Sequence, residues 1–245
     1  MTCVRWAMVA LAVQFQGHLL AAGTGNVQGA IKYIGAVPTT EPLKLSADPF
    51  CVKVNAEQPL VRQDIIVNPN STLKNVIVYV KDGLPAGGNY PLPAEPAILD
   101  QRGCRYEPHV LAMRVGQELQ IVNSDKTIHN IHSQPKANDR FNFSMISDKV
   151  KPQIRKFTAP ELPVPVKCDV HPWMQAWLGV FDHPFYAISG DDGTFEISNL
   201  PNGTYKLGAW HEKLGSQETT VTIGPGENQA VELTFRGSGS PAPTP

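Results

Sequence analysis

Two stretches of this chain carry residue types that could do chemistry together. The first is Asn123-Ser124-Asp125 followed by His129-Asn130. The second, further along, is Cys168-Asp169-Val170-His171-Pro172-Trp173-Met174. One thiolate, two imidazoles and one thioether are the donor set that selects copper, in a trigonal His2Cys arrangement with a long axial methionine. Cys168, His171 and Met174 must then face one atom from a single short loop. Steps of three residues around a tight turn allow this, and Pro172 helps to fix the loop's shape. Taken one at a time the same residues have ordinary roles: a satisfied histidine, a buried apolar thiol, a core methionine. Their combination points to a metal. Zinc is the weaker candidate, because structural zinc draws on more thiolates or histidines from paired motifs.

The elements that must position these residues read as strands. The segments 27–35 and 75–80 are β-branched and apolar, and 109–115, 117–123, 164–168 and 176–182 continue the series. Residues 85–96 (PAGGNYPLPAEP) form a loop or linker. Residues 133–160 read as a long irregular loop with one short helical turn, and long loops in compact domains are often functional. Beyond His183, 194–198 and 204–210 alternate apolar and polar residues around the turn Leu200-Pro201-Asn202-Gly203, and 219–223 and 230–235 close the series. Composition agrees. The 245 residues include 22 Pro and 20 Gly, which suits short strands joined by tight turns better than long helices. With 42% apolar and 18% charged residues and a formal net charge of −1, the chain lacks the basic surplus of a nucleic-acid binder. No stretch approaches the roughly 20 apolar residues of an integral membrane span.

The ends differ from the middle. Arg5, the apolar run from Trp6 to Val13 and the small residues Ala21-Ala22-Gly23 read as a signal peptide over 1–23, implying export to a periplasmic or extracellular space. Residues 237–245 read as a disordered tail. Without Cys3, three cysteines remain: Cys51, Cys104 and Cys168. Three single pairings are open in an oxidising compartment. Cys168 has the company of a metal ligand, so the favoured disulfide is Cys51–Cys104. His109, His132, His183 and His211 are scattered, and each reads as a solvated or core histidine.

Two resemblances follow. Residues 98–182 resemble a plastocyanin-like cupredoxin: the run from Asp100-Gln101 through Tyr106-Glu107-Pro108-His109-Val110 to Val115-Gly116-Gln117 is similar to that family's first strands, NSDKTIHN to its first copper-histidine loop, and CDVHPWM to its ligand loop. The resemblance implies a Greek-key sandwich binding one copper per chain, with His129, Cys168 and His171 as equatorial ligands and Met174 axial. Asn130 would pin the two ligand loops together. His171, beside Pro172 and Trp173, would present its ring edge at a partly apolar surface where a redox protein docks. Two residues separate His171 from Met174, where the commonest loop has four. Pro172 stands where a binuclear copper centre needs a second cysteine. The motifs Asp192-Gly193-Thr194-Phe195 and Leu200-Pro201-Asn202-Gly203-Thr204-Tyr205 resemble the carboxypeptidase regulatory-like (transthyretin-like) β-sandwich. Together the two resemble exported bacterial proteins of the cupredoxin and methylamine-utilisation type.

The expectation is an all-β chain, a Greek-key cupredoxin sandwich plus a second, regulatory-like β-sandwich. Residues 98–182 would be inserted into a sandwich built from 24–97 and 183–236; two domains in series is the alternative. The expected function is electron carriage by a mononuclear type 1 copper, not enzymatic catalysis. A copper-delivery or scaffold module is the alternative from another class, and a multicopper oxidoreductase a third.

Overall fold

The computed structural model describes residues 23–45 and 48–237. All but the last residue of the expected signal peptide and all but the first residue of the expected tail lie outside them. The fold is all-β, with one short helix among the described residues. In chain order the elements are β1 (Thr24–Ile34), α1 (Pro49–Val54), β2 (Ile77–Asp82), β3 (Ala97–Arg102), β4 (Arg105–Glu107), β5 (Val110–Arg114), β6 (Leu119–Asn123), β7 (His129–Ser133) and β8 (Phe141–Met145). There follow β9 (Gln153–Arg155), β10 (Glu161–Lys167), β11 (Gln175–Phe181), β12 (Tyr186–Ile188), β13 (Thr194–Pro201), β14 (Gly203–His211), β15 (Gly215–Ile223) and β16 (Asn228–Arg236).

Four sheets result. Two are built wholly from the middle of the chain, in the orders β5-β11-β10-β7-β8 and β4-β3-β6-β9. Their inner faces bury Leu99, Leu119, Ile121, Ile131, Val164 and Leu178 around Tyr106. The other two, β13-β1-β16 and β12-β2-β14-β15, each combine a strand from before this middle section with strands from after it. The β1–β16 pair is parallel and runs from Asn26 opposite Asn228 to Ile34 opposite Arg236. Parallel neighbours cannot be joined by a hairpin, so the intervening chain must leave and return. Val27, Ile31, Val78, Leu207 and Phe235 fill the core of this second pair. Ile77, Val110, Phe181 and Trp210 form a smaller apolar cluster where strands of the two pairs meet.

The segment 133–160 departs from the expected loop. It carries β8 and β9, and Phe141-Asn142-Phe143-Ser144-Met145 alternates in exposure as a strand should. The alternation of Phe141, Phe143 and Met145 with Asn142 and Ser144 is itself the strand signal in this sequence. The helix α1 was not foreseen either. Its signals are Asp48 as the cap, whose side chain accepts from the N–H groups of Phe50 and Cys51, and Pro49 in the first turn. The helix packs through Cys51 against Leu45, Leu60 and Cys104, with Phe50 and Trp173 at the edge. This small cluster lies against the site described next.

Candidate metal centre

His129 opens β7, directly after the loop that leaves β6. Cys168, His171 and Met174 lie on the loop between β10 and β11. That loop is closed by two backbone hydrogen bonds, Cys168 N–H to the Met174 carbonyl at 3.2 Å and Met174 N–H to the His171 carbonyl at 3.0 Å. The ladder between β10 and β7 brings the two loops together, pairing Val166 with Ser133 and Lys167 with His132. His129 Nδ1 stands 3.0 Å from His171 Nδ1, and Cys168 Sγ stands 3.9 Å from His171 Nδ1. The three donor atoms lie within 4.8 Å of one another. All three residues are buried, with exposures of 0%, 3% and 1% for His129, Cys168 and His171. Met174 is fully buried beside Cys168 in the same apolar cluster.

The far side of each imidazole is anchored. His129 Nε2 donates to Asp125 Oδ2 at 2.8 Å, and His171 Nε2 donates to Asp48 Oδ2 at 3.1 Å. An imidazole donating from Nε2 directs its Nδ1 lone pair the other way. The two Nδ1 atoms, 3.0 Å apart beside a sulfur, share a proton when no metal is bound and are free to turn both lone pairs on a cation that displaces it. The residues therefore fit a thiophilic ion that also accepts imidazole, which is the preference of copper.

Electrostatics agree. Burial pushes the Cys168 thiol up, but hydrogen bonds from His129 and His171 and from the N–H groups of Asn130 and His171 outweigh it and bring it down to about 6. Burial pulls His129 down; the Asp125 carboxylate and the Cys168 sulfur overcome this and raise it. Asp125 and Asp48 lie below the usual carboxylate range, because hydrogen bonds to His129, Thr127 and nearby N–H groups exceed the effect of burial. The cluster attracts positive charge.

Asn130 ties the loops together. Its Oδ1 accepts from Asp169 N–H at 3.1 Å, its own N–H reaches Cys168 Sγ at 3.3 Å, and its carbonyl accepts from the Tyr106 hydroxyl at 2.5 Å. Cys51 and Cys104 form a disulfide, leaving Cys168 as a free, buried cysteine.

One expectation is overturned. The His171 ring does not reach the surface. Asp48 and Cys51 cover its Nε2 side, with Cys51 Sγ 4.0 Å away, and Trp173 lies across it with ring centroids 4.9 Å apart. Exposure passes instead to Pro172 and, in part, to Trp173. These line a recess with Leu43, Leu60, Arg62 and His109. Asp48 and the role of Asp125 escaped the sequence reading. The cap-plus-proline signal at Asp48-Pro49 could have revealed the helix, though not its target.

The other histidines lie apart. His132 Nδ1 pairs with Asp169 at 2.9 Å and helps hold that carboxylate down at about 2. His109 pairs with Glu212 and the Gln175 carbonyl. His183 accepts from Phe185 N–H, and His211 from Lys213 and Leu214 N–H. Among the described residues none of the four joins a cluster of donors close enough to share an ion.

No family model matches the chain, and no curated protein matches it in sequence. Among solved structures it is similar to amicyanin from Paracoccus versutus, at 18% identity over 42% of this chain and 97% of that one, with a TM-score of 0.32. It is similar to a purple cupredoxin from Nitrosopumilus maritimus, at 21% identity over 35% of this chain and 99% of that one, TM-score 0.30. A copper-containing nitrite reductase from Thermus scotoductus matches at 20% identity over 41% of this chain, TM-score 0.33; the match spans only 25% of the reductase.

Proposed function

We propose that the chain is a mononuclear type 1 copper protein that carries single electrons between redox partners. The observation that carries this reading is the buried convergence of His129 Nδ1, His171 Nδ1 and Cys168 Sγ, with both far nitrogens anchored by carboxylates. Copper held there supplies a one-electron couple. The chain's own residues supply the rest. His129 sits on β7, and Cys168 and His171 sit on the short loop that β10 and β11 clamp, so the donors move little when charge changes. Two backbone N–H groups, from Asn130 and His171, reach the Cys168 sulfur at 3.3 Å each and stabilise its negative charge. Burial of all three donors shields them from water and small molecules, which suits a carrier better than a catalyst that must bind substrate.

Trp173, in contact with the His171 ring, leads to the recess at Pro172, where we place the docking of a redox protein. Such encounters use small interfaces. We read residues 98–182 as a cupredoxin inserted into a regulatory-like sandwich, and the chain as exported, a reading the disulfide supports.

Visible absorption and EPR spectra of the chain from residue 24 onward, loaded with one equivalent of Cu(II), test the proposal. The expected result is an intense thiolate-to-copper band with narrow parallel hyperfine splitting, abolished in Cys168→Ser. A colourless protein, or an ordinary signal that survives Cys168→Ser, would sink it.

A further inference from the structure

The structure assigns Asp48 and Asp125 as the positioning residues of the two imidazoles, held in place by mounts that the Cys51–Cys104 disulfide ties together. This rests on the metal-binding reading above and extends it to residues that lie outside the ligand set.

The two mounts are built differently. Asp125 sits in the loop before β7, and its carboxylate is gripped by the turn between β3 and β4. Gly103 N–H reaches Oδ1 at 2.8 Å and Cys104 N–H reaches Oδ2 at 2.7 Å. Both turn residues are left-handed, with φ of 61° and 60°, as a two-residue hairpin requires. That conformation is natural for Gly103 but strained for Cys104, by about 1–3 kcal/mol. In return it aims two adjacent N–H groups at one carboxylate. Asp125 Oδ2 then faces His129 Nε2.

Asp48 is mounted on α1. Its Oδ1 accepts from Phe50 N–H at 2.7 Å, and its Oδ2 from the Thr127 hydroxyl at 2.7 Å and from His171. The disulfide joins α1 to the hairpin turn. Trp173, whose Nε1 donates to the Cys104 carbonyl at 3.0 Å, braces the same turn against the ligand loop. Each imidazole therefore has its tautomer and ring orientation set by a carboxylate that is itself fixed by backbone N–H groups. A carboxylate behind an imidazole raises its basicity as a ligand, and partners of this kind matter 10–100-fold in metal affinity. Negative charge behind both ligands favours the higher oxidation state of a bound metal.

Asp48→Asn is the discriminating variant. Asparagine caps a helix as well as aspartate does, so α1 keeps its start. The substitution removes the charge, and the amide that caps α1 through its oxygen turns its NH2 toward the His171 N–H. The experiment compares wild type, Asp48→Asn and Asp125→Asn in Cu(II) affinity by chelator competition, in reduction potential, and in thermal midpoint of the metal-free protein. Expected for Asp48→Asn are about a 10–100-fold loss of affinity and a raised potential, beside a modestly lower metal-free midpoint from the weakened hydrogen bonds to His171 and Thr127. Asp125→Asn should shift affinity and potential the same way. Affinity and potential equal to wild type in both variants would overturn the inference. So would affinity losses matched by a lower metal-free midpoint with the potential unmoved, since the carboxylates would then be structural. If wild type binds no copper through Cys168, it is the function reading that fails, and the inference falls with it.

Discussion

Cys168 gathers the chemistry of this chain into one atom. Its sulfur accepts two backbone N–H groups at 3.3 Å and faces two imidazoles, in a pocket that is 3% exposed. Met174, fully buried on the same loop, is the thioether proposed as the axial donor. Met174→Gln should leave copper bound but lower its potential, because a harder axial donor favours Cu(II). An unchanged potential and spectrum would show that Met174 is not a ligand. Cys168, His171 and Met174 were legible because they share one loop, and a local loop writes its chemistry into residue spacing. Asp48 was not legible: it meets His171 across 123 positions of sequence, where no periodicity or motif connects them.

The helix α1 and the β3–β4 hairpin show how minor elements can govern a site. The helix adds only Cys51 to a small cluster, whereas the hairpin gives Leu99 and Tyr106 to the core; between them they present both carboxylate mounts. The disulfide that joins them closes a long loop, with a sequence separation of 53. By chain-entropy reasoning, the double variant Cys51→Ala/Cys104→Ala should lose about 4 kcal/mol of metal-free stability in urea unfolding. Amide exchange in α1 should accelerate with it. Unchanged exchange in α1 would mean that Asp48 and the packing of Leu45 and Leu60 hold the helix without the cross-link. The strands were easier to read than these elements. β14 and β2 display alternation or β-branched runs, whereas a helix of six residues has too few turns to show a period.

At the scale of the whole molecule, the contact between the two pairs of sheets is apolar, with Trp177 and Trp210 meeting at 5.5 Å between ring centroids. Nearby, His211 ends β14 with its Nδ1 accepting two backbone N–H groups at 3.2 Å each. Burial, aided by the positive field of His109 and opposed by Glu212, pulls this imidazole down to about 4. The unfolded chain takes up its proton near pH 6.5 and the folded chain only near 4, so protonation favours unfolding. The contribution of His211 is intact above pH 6.5 and is lost as pH falls through about 4, for a total of about 3 kcal/mol. Urea unfolding of wild type and His211→Gln across pH 7 to 4 checks this. The variant should show the flatter dependence, and parallel curves would refute the assignment.

The sequence by itself determined that Cys168, His171 and Met174 share one short loop, determined the all-β character, and favoured Cys51–Cys104 among three possible pairings. These depend on composition, local spacing and the elimination of one cysteine by its neighbours. Only the tertiary structure decided that β1 lies parallel to β16, that His171 is covered, and that Asp48 and Asp125 stand behind the two imidazoles. The physical reason is that, apart from the four-residue step between Asp125 and His129, each of these is a contact between segments distant in the chain. Such contacts are selected by which surfaces can be buried together once all strands are in place, and that choice leaves no mark on any short stretch of residues.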